Sequence, residues 1–269
     1  MEEIIGGLIR MAPPEIVREV QGSMSTMTST ELLRKIEQSK VDSYNAEIGN
    51  LKDYDCPLCK NKGFVGVLRN GLMAVEECGC MNRRRSMRLL NASGLSNLMH
   101  EYTFDKYQTP SQWQKSVKNK AVEFVKRGKG WFVIVGHPGT GKTHICTAIC
   151  GMFLEQNKAV RYMVWREEAP RIKASINDRE TYEKMLGGYK DADVLYIDDF
   201  WKGTVTDADI NLSFELLNYR YNDRNKITII SGEKDIEQML EIDEAIGSRI
   251  YEMSKGFQVK TQNENWRLR

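Results

Sequence analysis

Short apolar runs recur through the second half of the chain. The segments between them have apolar residues at a different spacing. The runs lie at 131–135, 159–165, 193–199 and 227–231, and each is typical of a buried strand. The segments between them have helical periodicity. Strands that alternate with helices predict an α/β fold in which helices cover a parallel sheet.

The helical segments show which side is expected to face the core. After the first strand, five apolar residues repeat at i, i+3, i+4, i+7 and i+8: Ile145, Ala148, Ile149, Met152 and Phe153. Before the last strand, four residues mark one face of a second helix: Ile210, Phe214, Leu217 and Tyr221. Further helices are predicted at about 112–127 and from Glu31 onward, where Thr28 and Glu31 suit a capping box.

The first part of the chain has a different composition. Residues 21–30 are short and polar and read as a linker. Residues 53–80 combine four cysteines with several glycines and little helical periodicity, and "MNRRRSMRLL" follows with four arginines and no acid. We therefore predict an N-terminal region at 1–90 with a small module at about 53–82, and a second domain at 91–269.

Charge and hydropathy limit the classes of function. The net charge of the 269-residue chain is only +2, so any contact with nucleic acid must come from local patches. The N-terminus begins acidic and its apolar stretch is short, which does not indicate a secretory signal. No apolar run approaches the roughly 20 residues of a membrane span. We expect a cytoplasmic protein without a membrane partner, whose cysteines stay reduced.

The segment "GHPGTGKT" at 136–143 follows the strand at 131–135 and opens a helix. Glycines let successive backbone N–H groups converge into a concave anion nest at a helix N-terminus. This context favours a polyphosphate ligand over a glycine-rich turn without a ligand. The residues predicted to bind it are Gly136, Pro138, Gly139, Thr140, Gly141, Lys142, Thr143 and His144.

Two carboxylates end the strand "VLYIDDF". Asp198, with the Thr143 hydroxyl, is predicted to hold a magnesium ion, and Asp199 to polarise the attacking water as a general base. The alternative is a helix cap or a solvated turn. The side chain of Asp199 is shorter than that of glutamate and would hold the attacking water less well, so we expect slow turnover. Ser231 ends the strand at 227–231 and is placed to sense the γ-phosphate.

The cysteines form two close pairs, "CPLC" at 56–59 and "CGC" at 78–80. This spacing predicts one structural zinc bound by Cys56, Cys59, Cys78 and Cys80, with disulfides or free thiols as the alternatives. Four thiolates would leave no open position for catalysis. Cys146 and Cys150 are expected to pack as small core residues.

The order of these motifs resembles the bacterial and phage helicase loaders of the DnaC and DnaI type, a branch of the AAA+ ATPases, and most closely the prophage DnaC-like proteins. The resemblance covers about residues 50–255 and includes "CPLCKNKG", "YTFDKY", "GTGKTHICTAI" and "IDEAIGSRIYEM". It implies a P-loop core with a five-stranded parallel sheet that binds ATP and single-stranded DNA. It also implies an N-terminal region that grips the replicative DnaB-type helicase.

The resemblance assigns roles by position. Lys142 and Thr143 match the phosphate-loop pair, Asp198 the magnesium aspartate, Asp199 the water-activating residue and Ser231 the first sensor. Arg249 matches the arginine finger that reaches a neighbouring subunit's ATP, which implies self-association through the ATP sites. Phe104 corresponds to a position near the adenine. The lid domain of many AAA+ proteins is expected to be absent or vestigial.

The leading hypothesis is therefore an ATP-dependent helicase loader. The alternatives are a transposition helper ATPase of the IstB type, which typically lacks the cysteines, and a nucleotide switch that does not hydrolyse ATP. Two possible contacts with DNA stay open. One uses the arginines of the basic stretch, Arg83, Arg84, Arg85 and Arg88, which can equally form a solvated linker or a patch that faces the helicase. The other stacks a base on Trp201 beside Lys202, with a packed loop as the alternative.

Overall fold

The computed structural model describes residues 28–92 and 94–262, and the predicted linker at 21–30 lies largely outside them. The chain divides into two compact units after Arg84. The domain boundary predicted after residue 90 stays a prediction. In the described part of the chain, no helix has both the length and the apolar character that a membrane crossing requires.

The first unit contains one long helix and a hairpin. Helix α1 runs from Ser29 to Ala46, strand β1 is Phe64–Arg69 and strand β2 is Leu72–Glu77. Thr28 caps α1 and forms the predicted capping box with Glu31. The strands pair antiparallel around Asn70 and Gly71, whose φ angles are 53° and 82°. An Asn-Gly pair in this conformation forms the tight turn that suits a two-residue hairpin.

Helix α1 packs on the hairpin through polar and apolar contacts. Asn45 bonds both backbone groups of Gly66, with its amide nitrogen 3.0 Å from the carbonyl and its oxygen 2.8 Å from the N–H. The Glu37 carboxylate accepts the Met73 N–H at 2.8 Å. These three bonds satisfy strand groups that would otherwise lack partners, and thereby fix the register of helix against hairpin.

The second unit is a parallel sheet between helices. Its strands are β3 (Trp131–Val135), β4 (Val160–Val164), β5 (Val194–Phe200), β6 (Ile227–Gly232) and β7 (Gln258–Lys260), in the spatial order β4-β5-β6-β3-β7. All four neighbouring pairs are parallel. The predicted five-stranded parallel sheet is therefore confirmed.

Helices precede and connect these strands. Helix α2 (Cys80–Ala92) begins at the last cysteine of the first unit. The others are α3 (Leu95–Met99), α4 (Gln112–Arg127), α5 (Lys142–Glu155), α6 (Trp165–Ala174), α7 (Arg179–Asp191), α8 (Asp207–Asn222), α9 (Ile236–Ile242) and α10 (Glu244–Met253).

Two predicted helix faces need correction. On α5, Ile145, Ile149 and Phe153 are buried as expected, but Met152 is 38% exposed. On α8, Leu217 is buried whereas Phe214 is 39% exposed, so the predicted face was wrong. The buried face of α8 instead carries Leu212, Ser213, Leu216, Leu217 and Arg220. It includes an arginine and a serine, which an apolar pattern cannot reveal.

Arg220 is fully buried and acts as a polar staple inside the second unit. Its guanidinium donates to the carbonyls of Tyr189, Lys190 and Ala192 at the end of α7, at 2.8–3.0 Å. It also donates to the Ile227 carbonyl at 2.6 Å and the Thr228 hydroxyl at 3.0 Å. Carbonyls at the end of a helix have no partner within that helix, so Arg220 satisfies them while tying α7 to β6.

Candidate functional site

The phosphate loop curls between β3 and α5 as the glycine spacing predicts. Gly136, Gly139 and Gly141 have φ angles of 142°, 77° and 84°, values that favour glycine. Gly141 directly precedes α5, so the loop ends at the positive end of that helix dipole. This geometry forms a site for an anion.

Thr261, which directly follows β7, holds the phosphate loop in place. It donates its hydroxyl to Thr140 Oγ1 at 2.9 Å and its N–H to the Val135 carbonyl at 2.9 Å. A Cβ atom on Gly136 would lie 2.1 Å from Thr261 Oγ1. Glycine at 136 is therefore required by this close approach as well as by its φ angle.

Lys142 is buried and already bonded. Its Nζ donates to the carbonyls of Gly136 and His137 at 2.7 and 2.8 Å. Burial lowers the pKa of Lys142, while the nearby carboxylates of Asp199 and Glu233 oppose that shift. The ammonium thus lies within the loop that would surround a phosphate.

Asp198 is fixed by hydroxyl groups on both of its neighbouring strands. The Tyr162 hydroxyl of β4 donates to Asp198 Oδ2 at 2.9 Å. The Ser231 hydroxyl of β6 donates to Asp198 Oδ1, and Ser231 is completely buried. Sequence reasoning paired Ser231 with the γ-phosphate and missed Tyr162. The alternation of side chains along β4 gave the signal for Tyr162, because the β4 residues next to Asp198 on the same side of the sheet can contact it.

Asp199 has an unusual backbone for its residue type. Its φ angle is 55°, and it lies within a register shift between Ile197 and Phe200 in the pairing of β5 with β6. The carboxylate lies 3.1 Å from Lys202 Nζ. A left-handed aspartate at a strand irregularity is typical of functional sites, where the surrounding structure maintains the strain.

Trp201 and Lys202 settle one of the open alternatives. Trp201 is 1% exposed, stacks on Phe200 at 4.7 Å and donates its indole N–H to Ser213 at 2.8 Å. The hypothesis that a base stacks on Trp201 was wrong, because its ring is inside the protein. The packed-loop alternative is confirmed.

These groups surround one cavity of about 520 Å³. It is lined by the loop and α5 residues, by Asp198, Asp199, Tyr162 and Lys202, and by Leu98 and Tyr102. Thr143 and Asp198 line it together, so both oxygen ligands predicted for magnesium face the same space. Oxygen donors of this type suit Mg²⁺.

Aromatic groups stand at one side of the cavity. Tyr102 stacks on His144 with ring centroids 4.8 Å apart and planes at 13°. His144 Nε2 lies 2.8 Å from the Thr103 carbonyl, and burial lowers the pKa of this imidazole. Phe104 packs against the hydrophobic core. Its contact with a nucleotide base stays a prediction.

Arg249 lies on α10 against α8. Its guanidinium donates to Asn218 Oδ1 at 3.2 Å and to the Ala245 carbonyl at 2.7 Å. It also lies 5.1 and 5.3 Å from the ring centroids of Phe214 and Tyr221. Its predicted role as a finger toward a neighbouring subunit stays a prediction.

The four cysteines of the first unit converge as predicted. Their sulfur atoms all lie within 4.8 Å of one another, with Cys56 and Cys78 at 3.8 Å and Cys59 and Cys80 at 3.5 Å. Sulfur atoms about 3.8 Å apart match a tetrahedral zinc with bonds of about 2.3 Å. All four side chains are buried. The cluster could therefore hold a structural zinc ion.

Hydrogen bonds within the cysteine-bearing loop help to position this cluster. The Gly63 N–H donates to Cys59 Sγ at 3.3 Å, and the Cys56 N–H donates to Asn61 Oδ1 at 2.9 Å. Burial raises the pKa of Cys80 to about 12, and a bound metal would oppose this shift by favouring the thiolate.

One arginine of the basic stretch, on helix α2, bonds to the loop that precedes Cys56. Arg84 is 5% exposed and donates to the carbonyls of Lys52 and Tyr54. Its proposed contact with DNA phosphates was wrong, since the guanidinium is buried and bonded. Arg83 lies 4.1 Å from the Tyr54 ring centroid.

Comparisons with known proteins agree with this architecture. A sequence profile of the family described as IstB-like ATP binding protein matches residues 63–269. The chain is 34% identical over 221 residues to the phage-like element PBSX protein XkdC of Bacillus subtilis (strain 168), covering 77% of this chain and 82% of that one.

Two further matches concern helicase loaders. The replicative helicase loader DnaC of Escherichia coli (strain K12) is 24% identical over 190 residues, covering 69% of this chain and 74% of that protein. The crystal structure of the DnaC helicase loader superposes with a TM-score of 0.52 at 24% identity, covering 61% of this chain and 98% of that one.

Proposed function

Because the chain belongs to the family of IstB-like ATP-binding proteins, we propose that it is an ATP-dependent loader of a replicative DnaB-type helicase onto single-stranded DNA. The observation that carries the proposal is the four-cysteine unit ahead of the phosphate site. An IstB-type transposition helper, the alternative, is expected to lack that unit. Similarity to a protein named as a replicative helicase loader supports the same choice.

The proposed chemistry uses the residues around the cavity. Lys142 and the loop N–H groups would bind the phosphates of ATP, while Thr143 and Asp198 would hold magnesium. The bound ion would neutralise charge on the phosphate oxygens. Asp199 would accept the proton of the attacking water. We expect slow hydrolysis, because the side chain of Asp199 is shorter than that of glutamate.

In this proposal the region before about residue 90 contacts the helicase and the second unit binds ATP, and this division gives a direct test. The full chain is mixed with a DnaB-type helicase, with and without ATP, and retained helicase is measured. We expect retention by the natural chain and by Lys142→Ala, which should bind no ATP. Absence of retention under both conditions would contradict the loader proposal. Phosphate release by the natural chain separates a loader from a switch that does not hydrolyse ATP.

Arg249 tests self-association. An added guanidinium at a transferring phosphoryl group is worth about 10³–10⁵ in rate. We therefore expect Arg249→Ala to bind ATP normally but lose hydrolysis by about that factor. Mixing it with Lys142→Ala should restore part of the activity, since one subunit would supply the loop and the other the arginine. Normal hydrolysis by Arg249→Ala, or an inactive mixture of variants that co-assemble, would refute the assignment.

A further inference from the structure

The phosphate cavity contains a second ammonium group that the phosphate-loop motif does not supply. Lys202 lines this cavity together with Lys142, Asp198 and Asp199. Its Nζ lies 3.1 Å from Asp199 Oδ2 and 3.1 Å from Glu233 Oε1. Asp199 lies at the end of β5 and Glu233 directly follows β6, so one ammonium bridges two adjacent strand ends.

The backbone around Lys202 fixes it at this place. The preceding residue, Trp201, is buried with a φ angle of 53°, and the following residue, Gly203, has a φ angle of 86°. The Trp201 indole is bonded to Ser213 of α8. Because Trp201 is anchored inside the protein, the adjacent backbone of Lys202 is held at the cavity wall.

The present partners of Lys202 bind it weakly enough to be exchanged. The side chains of Lys202, Asp199 and Glu233 are 28%, 35% and 37% exposed. Ion pairs that water reaches to this extent contribute little net stability. A terminal phosphate carries more charge than a carboxylate and has three acceptor oxygens, so it competes well for an ammonium group.

We propose that Lys202 is a γ-phosphate ligand: its ammonium leaves Glu233 and Asp199 for the terminal phosphate, so that the site binds ATP more tightly than ADP. This inference deepens the proposed function and rests on it, because it takes ATP as the ligand of the cavity. Lys142 is buried against the loop carbonyls and would serve both nucleotides, whereas Lys202 approaches from the strand ends and would distinguish them.

The test measures binding of ADP and of a non-hydrolysable ATP analogue, both with magnesium, to the full chain. We expect Lys202→Met to weaken the ATP analogue about 10-fold and to change ADP less than about 2-fold. Lys260→Met is the matched control, since Lys260 is an exposed lysine paired with Asp235 at the opposite edge of the sheet. It should change neither affinity. Retained ADP binding also shows that the variant is folded.

Glu233→Gln tests whether the carboxylate competes with the phosphate. We expect it to raise the preference for the ATP analogue over ADP in the natural background and to have no effect on that preference in Lys202→Met. An effect of the same size in both backgrounds would show that Glu233 acts without Lys202, and would overturn the inference.

The outcomes separate this inference from the proposed function. If Lys142→Ala binds both nucleotides normally, the cavity is not the nucleotide site and both fail. If Lys142→Ala binds neither, while Lys202→Met leaves the ATP-to-ADP preference unchanged or weakens both nucleotides equally, only the role of Lys202 fails. A changed hydrolysis rate with an unchanged preference would likewise refute the ligand role, since Lys202 would then act on Asp199 alone.

Discussion

The two units of this chain build their binding sites in opposite ways. In the first, the four cysteines form a buried cluster of their own, joined by a few side chains such as Tyr54, Val65 and Met81. In the second, the phosphate loop lies at the carboxyl end of β3, in a sheet whose two faces carry large apolar clusters. We expect the site that is itself a core to depend on its ligand for folding, and the site beside a larger core to form without one.

Removing the metal is the strongest way to test this difference. We expect one zinc per chain, and its removal by a chelator to unfold residues 28–84, since structural zinc sites contribute about 10–16 kcal/mol of binding free energy. Nucleotide binding by the second unit should persist. Elemental analysis and hydrogen exchange of the full chain measure the two effects.

Single variants refine that experiment. Cys59→Ala should abolish zinc binding, whereas Cys150→Ala, at a buried cysteine of α5, should retain it. A protein that contains no zinc after reconstitution, yet protects the amides of 28–84, would contradict the dependence of this unit on a metal.

The converse perturbation removes the polar staple of the second unit. Arg220→Met keeps much of the volume but leaves the carbonyls of α7 and β6 unsatisfied, at a cost of about 1–3 kcal/mol for a single buried group. We expect a loss of at least about 3 kcal/mol in the free energy of unfolding of this unit, measured by urea denaturation. Zinc content should stay unchanged.

Arg224→Met is the matched control for the staple. Arg224 is 55% exposed in its side chain and pairs with Glu252. An exposed pair contributes about 0.2–1 kcal/mol, so this variant should be nearly as stable as the natural chain. Equal losses of stability in the two variants would show that the buried bonds of Arg220 stabilise the unit no more than the exposed ion pair of Arg224 does.

The smallest expected effect concerns the magnesium site alone. Tyr162→Phe removes the hydroxyl that orients Asp198 and leaves the ring in place. Outer-shell hydrogen bonds of this kind are worth about 10–100-fold in metal affinity. We expect about 10-fold more magnesium to be needed for half-maximal ATP binding, with no change in stability beyond about 1 kcal/mol. Tyr219→Phe, at an exposed tyrosine bonded to Asp191, is the control.

The same comparison explains what the sequence could predict. The strands of the second unit and the phosphate loop follow from apolar runs and local turn chemistry. The capping box at Thr28 and the cysteine cluster follow from short spacings. Asn70 and Gly71 also carried a local signal for the hairpin, which sequence reasoning missed.

What sequence could not supply depends on distant backbone. Arg84 and Arg220 resemble surface residues by type, yet each is buried because its carbonyl partners come from other segments, as Lys52 and Tyr189 illustrate. The exposed Phe214 on α8 has the same origin, since a buried serine and arginine turn the apolar face of that helix. Polar residues that are buried only through contacts with distant segments produce no periodic pattern in the sequence.

The bonds of Lys142 to its own loop have a kinetic consequence. An ammonium group in water holds a tight hydration shell, and stripping that shell would slow the arrival of a ligand. In this protein Lys142 is 8% exposed and held by the carbonyls of Gly136 and His137, so most of that water is already gone before a ligand arrives. Phosphate binding would then exchange one set of oxygen partners of Lys142 for another, so dehydrating this ammonium group would add little to the barrier for binding.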